Sequence, residues 1–257
     1  MPLLHPAGRP VASPAMNVLG IDVGGSAFKG APVEIATGKL LAEPWRVPIQ
    51  SPCPRPQGLA AARAIVRHFN WTGPVGIGFP GVIQEGRIGA VGNLGFVWQN
   101  QPGAKLFARA TGCPVKLAND ADAAGLAELR FGAGHGRQDT VLMLTFGTGI
   151  GSALFYRGAL YPNVELGHIP WKGKPIERYA SAAVRDRRKL EWAEWAERVN
   201  VFLANAERLV SPGLIIIGGG VSKDHRQWFK YLKTRAKVVP AKLHNEAGIV
   251  GAALAGE

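Results

Sequence analysis

Two glycine-rich turns, each beside an apolar run, constrain this chain more than any other feature. Asp22-Val-Gly-Gly-Ser-Ala-Phe-Lys29 follows Val18-Leu-Gly-Ile21, and Phe146-Gly-Thr-Gly-Ile-Gly-Ser152 comes more than a hundred residues later. Glycine lets backbone N–H groups turn toward an anion at close range, because no Cβ blocks the approach or forbids positive φ. Either turn alone reads as an ordinary β-hairpin. As an ordered pair they predict two phosphate-facing loops.

Apolar periodicity places strands near 18–22, 28–36 and 40–47, a Pro-rich loop from Pro48 to Pro56, and a helix over 58–69 on Leu59, Ala62, Ile65, Val66 and Phe69. A strand at 75–79 runs into Pro80-Gly81, and one at 115–118 leads into Asn119-Asp120 and a helix to about Phe131. A second meander at 140–146 and 151–156 precedes helices near 176–188 and 190–209, a strand at 214–217, and helices near 224–235 and 246–255. The same strand-strand-helix pattern occurs twice, which predicts an α/β protein of two similar lobes around a central cleft. The expected division is a loose extension over 1–15, a small lobe over 16–118 with the C-terminal helix 246–257 packed back on it, and a large lobe over 119–245. Leu190, Trp192, Trp195, Val199, Phe202, Leu203, Ala206 and Leu209 fall near helical spacing and read as a buried face.

The 257 residues, 47% hydrophobic, suffice for a sizeable core. The longest strongly apolar run, Leu214 to Ile217, is far short of the roughly 18–20 residues of a membrane span, and residues 1–15 lack the apolar core of a signal peptide. Cys53 and Cys113 match neither a disulfide framework nor a metal-ligand spacing, so a cytoplasmic setting is expected. Lys and Arg number 30 against 18 Asp and Glu, a net charge of +12, and residues 171–242 hold 16 of the basic groups. That excess fits a solvated surface or a polyanionic ligand.

Beyond the glycine turns, the chain carries Gly76-x-Gly-x-Pro-Gly81, Asn93, Asn119-Asp-Ala-Asp122, Glu165-Leu-Gly-His168, Glu177 followed by Ala180-Ser181, and Ile217-Gly-Gly-Gly-Val-Ser222. In this order the motifs resemble those of the ROK sugar kinases, from about Val18 to Ala255. The resemblance implies the actin-like, hexokinase-type ATPase fold of the ribonuclease H-like class. It is nearest the polyphosphate glucokinases and polyphosphate/ATP glucomannokinases, through Asn119 to Glu128, Leu144 to Ala153, and Val239 to Ala253. Most ROK kinases continue from their Glu-x-Gly-His motif into a cysteine-rich zinc site, but Ile169-Pro-Trp-Lys-Gly-Lys-Pro175 has no cysteine, so no structural zinc is expected. Ser26 stands where threonine is usual, and Gly95 where an acidic residue is common.

The resemblance implies phosphorylation of glucose, or mannose, at O6, with Asp120 as general base and Asn93, Asn119, Asp120, Glu165, His168 and Glu177 around the sugar. Asp22 is expected to hold Mg²⁺, most simply through water, while Gly24, Gly25, Ser26, Lys29, Gly147, Thr148 and Gly149 surround phosphate and Gly218, Gly219 and Gly220 lie on the adenosine side. Plainer roles stay open: an N-cap for Asp120, a satisfied structural histidine for His168, a surface lysine for Lys29, and a positive-φ strand-to-helix connection for Gly218–Gly220. Polyphosphate would need a basic track, for which Lys172, Lys174, Arg178, Arg185, Arg187, Arg188 and Lys189 are the candidates; ATP is the alternative or additional donor. A strictly ATP-dependent hexose kinase is the second reading. Residues 1–17 are too short for the helix-turn-helix of a sugar-sensing repressor, and no zinc finger, RNP-like strand or basic recognition helix points to nucleic acid. A homodimer is expected from similar proteins.

Overall fold

The computed structural model describes residues 16–92 and 94–257, so the expected N-terminal extension and Asn93 lie outside the described residues. The chain begins with β1 (Asn17–Val23), β2 (Ala27–Glu34), β3 (Lys39–Leu40) and β4 (Trp45–Pro48), then α1 (Arg55–His68) and β5 (Val75–Phe79). A hairpin of β6 (Gly81–Gln84) and β7 (Arg87–Val91), a 3₁₀ turn at Phe96–Trp98 and α2 (Gly103–Thr111) follow, before β8 (Val115–Asn119) and α3 (Asp120–Phe131). The second half holds β9 (Val141–Phe146), β10 (Ile150–Tyr156), β11 (Ala159–Tyr161), the short hairpin β12 (Pro170–Trp171) and β13 (Lys174–Pro175), α4 (Glu177–Ala180), α5 (Ala182–Arg188) and α6 (Trp192–Val210). It closes with β14 (Leu214–Gly218), α7 (His225–Trp228), β15 (Lys237–Pro240) and α8 (Ala247–Gly256).

Among the described residues the two main sheets share one topology. One is ordered β3-β2-β1-β5-β8 with β4 also on β2; the other runs β11-β10-β9-β14-β15. In each, the first three strands are antiparallel and the last two join parallel to the first, so the duplicated sequence pattern folds into duplicated sheets. The inner parallel strands β5 and β14 are buried at every position, which is why they are apolar rather than alternating, whereas the outer β8 and β15 are partly exposed.

Three packed clusters hold this frame. Phe28, Phe79, Trp98 and Phe107 fill the first lobe, and the Trp98 indole N–H donates to the Cys53 carbonyl at 2.9 Å. Phe146, Trp195, Phe202 and Trp228 fill the second, all fully buried. Each such side chain contributes on the order of 1.5–3 kcal/mol, so Trp195 of α6 and Trp228 of α7 serve as core anchors, while Trp192 is half-buried and Leu209, expected on the buried face, is exposed. The third cluster joins the lobes through α3 and α8. Helix α8 lies on β1, β5 and α3, where a Cβ on Gly20 or Gly76 would collide with the carbonyls of Ile249 or Ala252.

Several elements differ from the periodicity reading. Expected helix 176–188 breaks at Ser181, whose extended backbone separates α4 from α5. Expected helix 224–235 is a single α-turn between 3₁₀ segments. Helix α2, strand β15 and the β6–β7 hairpin carry signals too short to separate from loops: β15 has four residues, and α2 is followed by a left-handed Gly112.

Candidate active site

The two glycine turns and the strand-helix junctions converge on one cleft of about 480 Å³ between the lobes. Gly24 and Gly25 reach it from the β1–β2 turn, Gly147 to Ser152 from the β9–β10 turn, Asn119 and Asp120 from the end of β8, and Glu165, His168 and Glu177 from the segments after β11. Gly219 and Gly220 complete the floor. Ser26 is exposed, and neither it nor Asp22, Lys29 or Gly218 belongs to the lining.

Asn119 caps α3: its Oδ1 accepts from the Ala121 and Asp122 amides at 2.8 and 3.0 Å. That capping, worth about 1 kcal/mol, leaves Asp120 free of the N-cap role that its position also suited. Asp120 keeps one contact of this kind, from the Ala121 amide at 2.9 Å, and its second oxygen has no protein donor among the described residues. Burial above all, then the charges of Asp22 and Glu165, push its pKa up to about 7. A carboxylate so poised can accept a proton near neutral pH.

Asp22 faces Lys29 across the β1–β2 ladder; burial raises its pKa and Lys29 opposes the rise. No side-chain hydrogen bond to its carboxylate is present among the described residues, and it stands near enough to Asp120 to affect it, a donor set that suits a hard divalent cation holding water and phosphate as its other ligands. No cluster of three or more Asp, Glu, His or Cys side chains able to share a metal occurs among the described residues.

The other wall is built around His168, with Nδ1 3.8 Å from Glu165 and Nε2 3.9 Å from Glu177. Burial raises the Glu165 pKa, His168 lowers it and Glu177 raises it. The Asn119 amide nitrogen lies 3.5 Å from Glu165 and donates to the Gly81 carbonyl at 3.1 Å. Glu177 accepts from the Ile150 amide at 3.1 Å, and a Cβ on Gly149 would strike its carboxylate. Glu177 therefore shapes the second glycine turn as well as facing His168. Beside Gly25 and Gly147 a Cβ would meet nothing within 4 Å, so the cleft is open there. Of the glycines at 218–220, Gly219 alone is left-handed, at φ 80°, with the Phe146 backbone behind it.

The basic candidates divide. Arg178 lines the cleft. Lys172 and Lys174 are exposed on the β12–β13 hairpin, and Arg187, Arg188 and Lys189 at the end of α5. Arg185 is engaged, with its guanidinium 3.5 Å from the centre of the Trp192 ring and paired with Asp186 at 3.0 Å.

Sequence reasoning missed Asp122 and Asn163. Asp122 is 2% exposed and accepts from the Asn163 amide at 2.8 Å; its pKa is pushed up to about 6, mainly by burial. A second acid two positions after Asp120 was visible in the chain, but nothing local says that it is buried. The β6–β7 hairpin, which supplies Val82, Ala90, Val91 and Gly92 to the lining, was missed with them.

The model of the ROK family matches residues 18–178. This chain belongs to the ROK family. Over 254 residues it is 41% identical to a polyphosphate glucokinase of Mycobacterium tuberculosis (strain CDC 1551 / Oshkosh), covering 96% of this chain and 93% of that one. Among solved structures it is similar to the inorganic polyphosphate/ATP-glucomannokinase of Arthrobacter sp. strain KM, with a TM-score of 0.89 and 43% identity over 93% of this chain and 97% of that one. A ROK family glucokinase from Streptomyces griseus in complex with glucose and AMPPNP gives a TM-score of 0.74 at 25% identity, over 93% and 98% of the two chains. The fold is thus the actin-like ATPase fold of ROK sugar kinases. Among the described residues no helix is long and apolar enough to cross a membrane.

Proposed function

We propose that this ROK protein transfers a phosphoryl group to the 6-hydroxyl of glucose, or of mannose, with inorganic polyphosphate and also ATP as donor. One observation carries the reading: Asp120 sits in the interlobe cleft with its cap role taken by Asn119 and its pKa near 7. Asp120 accepts the proton of the attacking hydroxyl as the oxygen bonds to phosphorus. Asn119, Glu165, His168 and Glu177 hold the other hydroxyls, each of which both donates and accepts. The amides of the two glycine turns face the donor, with Lys29 and Arg178 as nearby cations. Mg²⁺ beside Asp22 would offset charge on the donor phosphates. Asp22 would hold the hydrated ion, and in the metal-free protein its charge helps to raise the Asp120 pKa.

The mycobacterial relative and the glucomannokinase support polyphosphate as donor. Under this reading the exposed cations from Lys172 to Lys189 follow the polymer out of the cleft past Arg178, while Arg185 stiffens the track. The KM for polyphosphate should rise steeply with salt while that for ATP moves less, because a polyanion releases counterions on binding. Matching salt responses for the two donors would remove the track. Strict ATP dependence is the second reading, favoured by Gly219 and Gly220 on the cleft floor. Glucose 6-phosphate formation with each donor alone separates the two.

The pH profile follows from Asp120. The base must be ionised to accept a proton, and its pKa in the free protein is about 7. The value of kcat/KM should therefore climb tenfold per pH unit below about 7 and level off above it. A profile flat from pH 5 to 8 would remove Asp120 from the proton-accepting role.

A further inference from the structure

The sugar-facing walls of the cleft come from two segments far apart in the chain, and two asparagines join them: Asn119 reaches the Gly81 carbonyl and Glu165 from inside the cleft, and Asn163 binds the outer edge of the hairpin. Asn163 Oδ1 accepts from the Ile83 amide at 2.8 Å, and Asn163 Nδ2 donates to the Ile83 carbonyl at 2.9 Å. The carboxamide thus pairs with the free edge of β6 as a neighbouring peptide unit would. A register shift between Gly81 and Ile83 disturbs the β6–β7 pairing beside this point. Asn163 has φ 60°, a left-handed conformation that asparagine tolerates better than most residues. Its own amide is held by Asp122, the buried carboxylate two positions beyond Asp120, whose other oxygen has no partner among the described residues. Asp122 thus anchors the turn that leads directly into Glu165.

We propose that Asn163, anchored by Asp122, is a positioning residue that locks the β6–β7 hairpin to the Glu165–His168 segment, so that both walls of the acceptor end of the cleft move as one body. The inference rests on the reading that Glu165 and His168 hold the sugar. Val82, Ala90 and Val91 then form a wall whose distance from those groups is set by a side-chain-to-backbone pair rather than by a continuous sheet. The donor end, built from the glycine turns, does not depend on the lock.

Asn163→Gly tests it, because glycine keeps the left-handed backbone and the amide bonded to Asp122 while removing the side chain that pairs with Ile83. Hydrogen exchange over residues 81–91 should quicken, and the KM for glucose should rise about tenfold, as expected for losing two neutral hydrogen bonds, with the KM for the donor changed less than about twofold. A merely structural role would lower Tm and the active fraction and leave both KM values alone, and that result would overturn the proposal. Unchanged exchange at 81–91 would overturn it as well, whatever the substrate. Should the wild-type protein phosphorylate no hexose, the kinase reading fails, and hydrogen exchange alone then decides whether the lock exists.

Discussion

Asp120→Asn is expected to lower kcat by about 10²–10⁴-fold while leaving the KM for glucose within a few-fold, because the amide keeps the size of the side chain and loses the basic oxygen. The same substitution should not destabilise the protein. An unfolded aspartate titrates near 3.8 and folded Asp120 near 7, so between those values folding takes up a proton and stability falls as pH rises. Above pH 7 the ionised carboxylate is thus a standing cost to the fold, and removing it should hold or raise Tm at pH 8. Calorimetry beside steady-state kinetics reads both effects. A mutant that lost activity together with several degrees of Tm would show that Asp120 serves chiefly the packing of α3.

The largest effect on stability is expected where α8 crosses the strands. Gly251 faces the Ala123 carbonyl of α3 and Gly76 faces the Ala252 carbonyl, so closely that a methyl group at either position overlaps backbone. Backbone cannot rotate aside as a side chain can, and α8 is held on three sides by β1, β5 and α3. Gly76→Ala and Gly251→Ala should each cost roughly 3 kcal/mol or more, visible as a lower urea midpoint or as insoluble protein. Gly25→Ala is the control: its Cβ would meet nothing within 4 Å, and stability should stay within about 0.5 kcal/mol of wild type. Equal losses at all three positions would refute the close-packing account.

The two lobes were legible because their signals are local. A run such as Leu214-Ile-Ile-Ile217 reads as a buried strand, Asn119-Asp120 before an alanine-rich segment reads as a helix start, and paired glycines read as a turn wherever they occur. Those cues placed the two glycine turns with Gly24, Gly25, Gly147, Thr148 and Gly149 at strand ends, and the resemblance to the ROK kinases added Asn119 and Asp120; all of them line the cleft. They said less where one feature suits two roles. Only the folded chain shows that Asn119 takes the cap and leaves Asp120 to the cleft. Seven basic residues looked alike in the chain, yet Arg178 faces the cleft and Arg185 stacks on Trp192.

What the sequence determined by itself was the set of elements, the duplicated order of the strands and the kinds of group brought to each strand end. Periodicity, capping and turn chemistry act within a few residues and need no partner. The tertiary structure alone decided which of those groups meet: Ile83 with Asn163, Asp122 with the turn before Glu165, Glu177 with the second glycine turn, and α8 with the backbone of β5. Such pairings join residues tens of positions apart, and sheet register and close packing select them, physical terms that exist only once the whole chain has closed on itself.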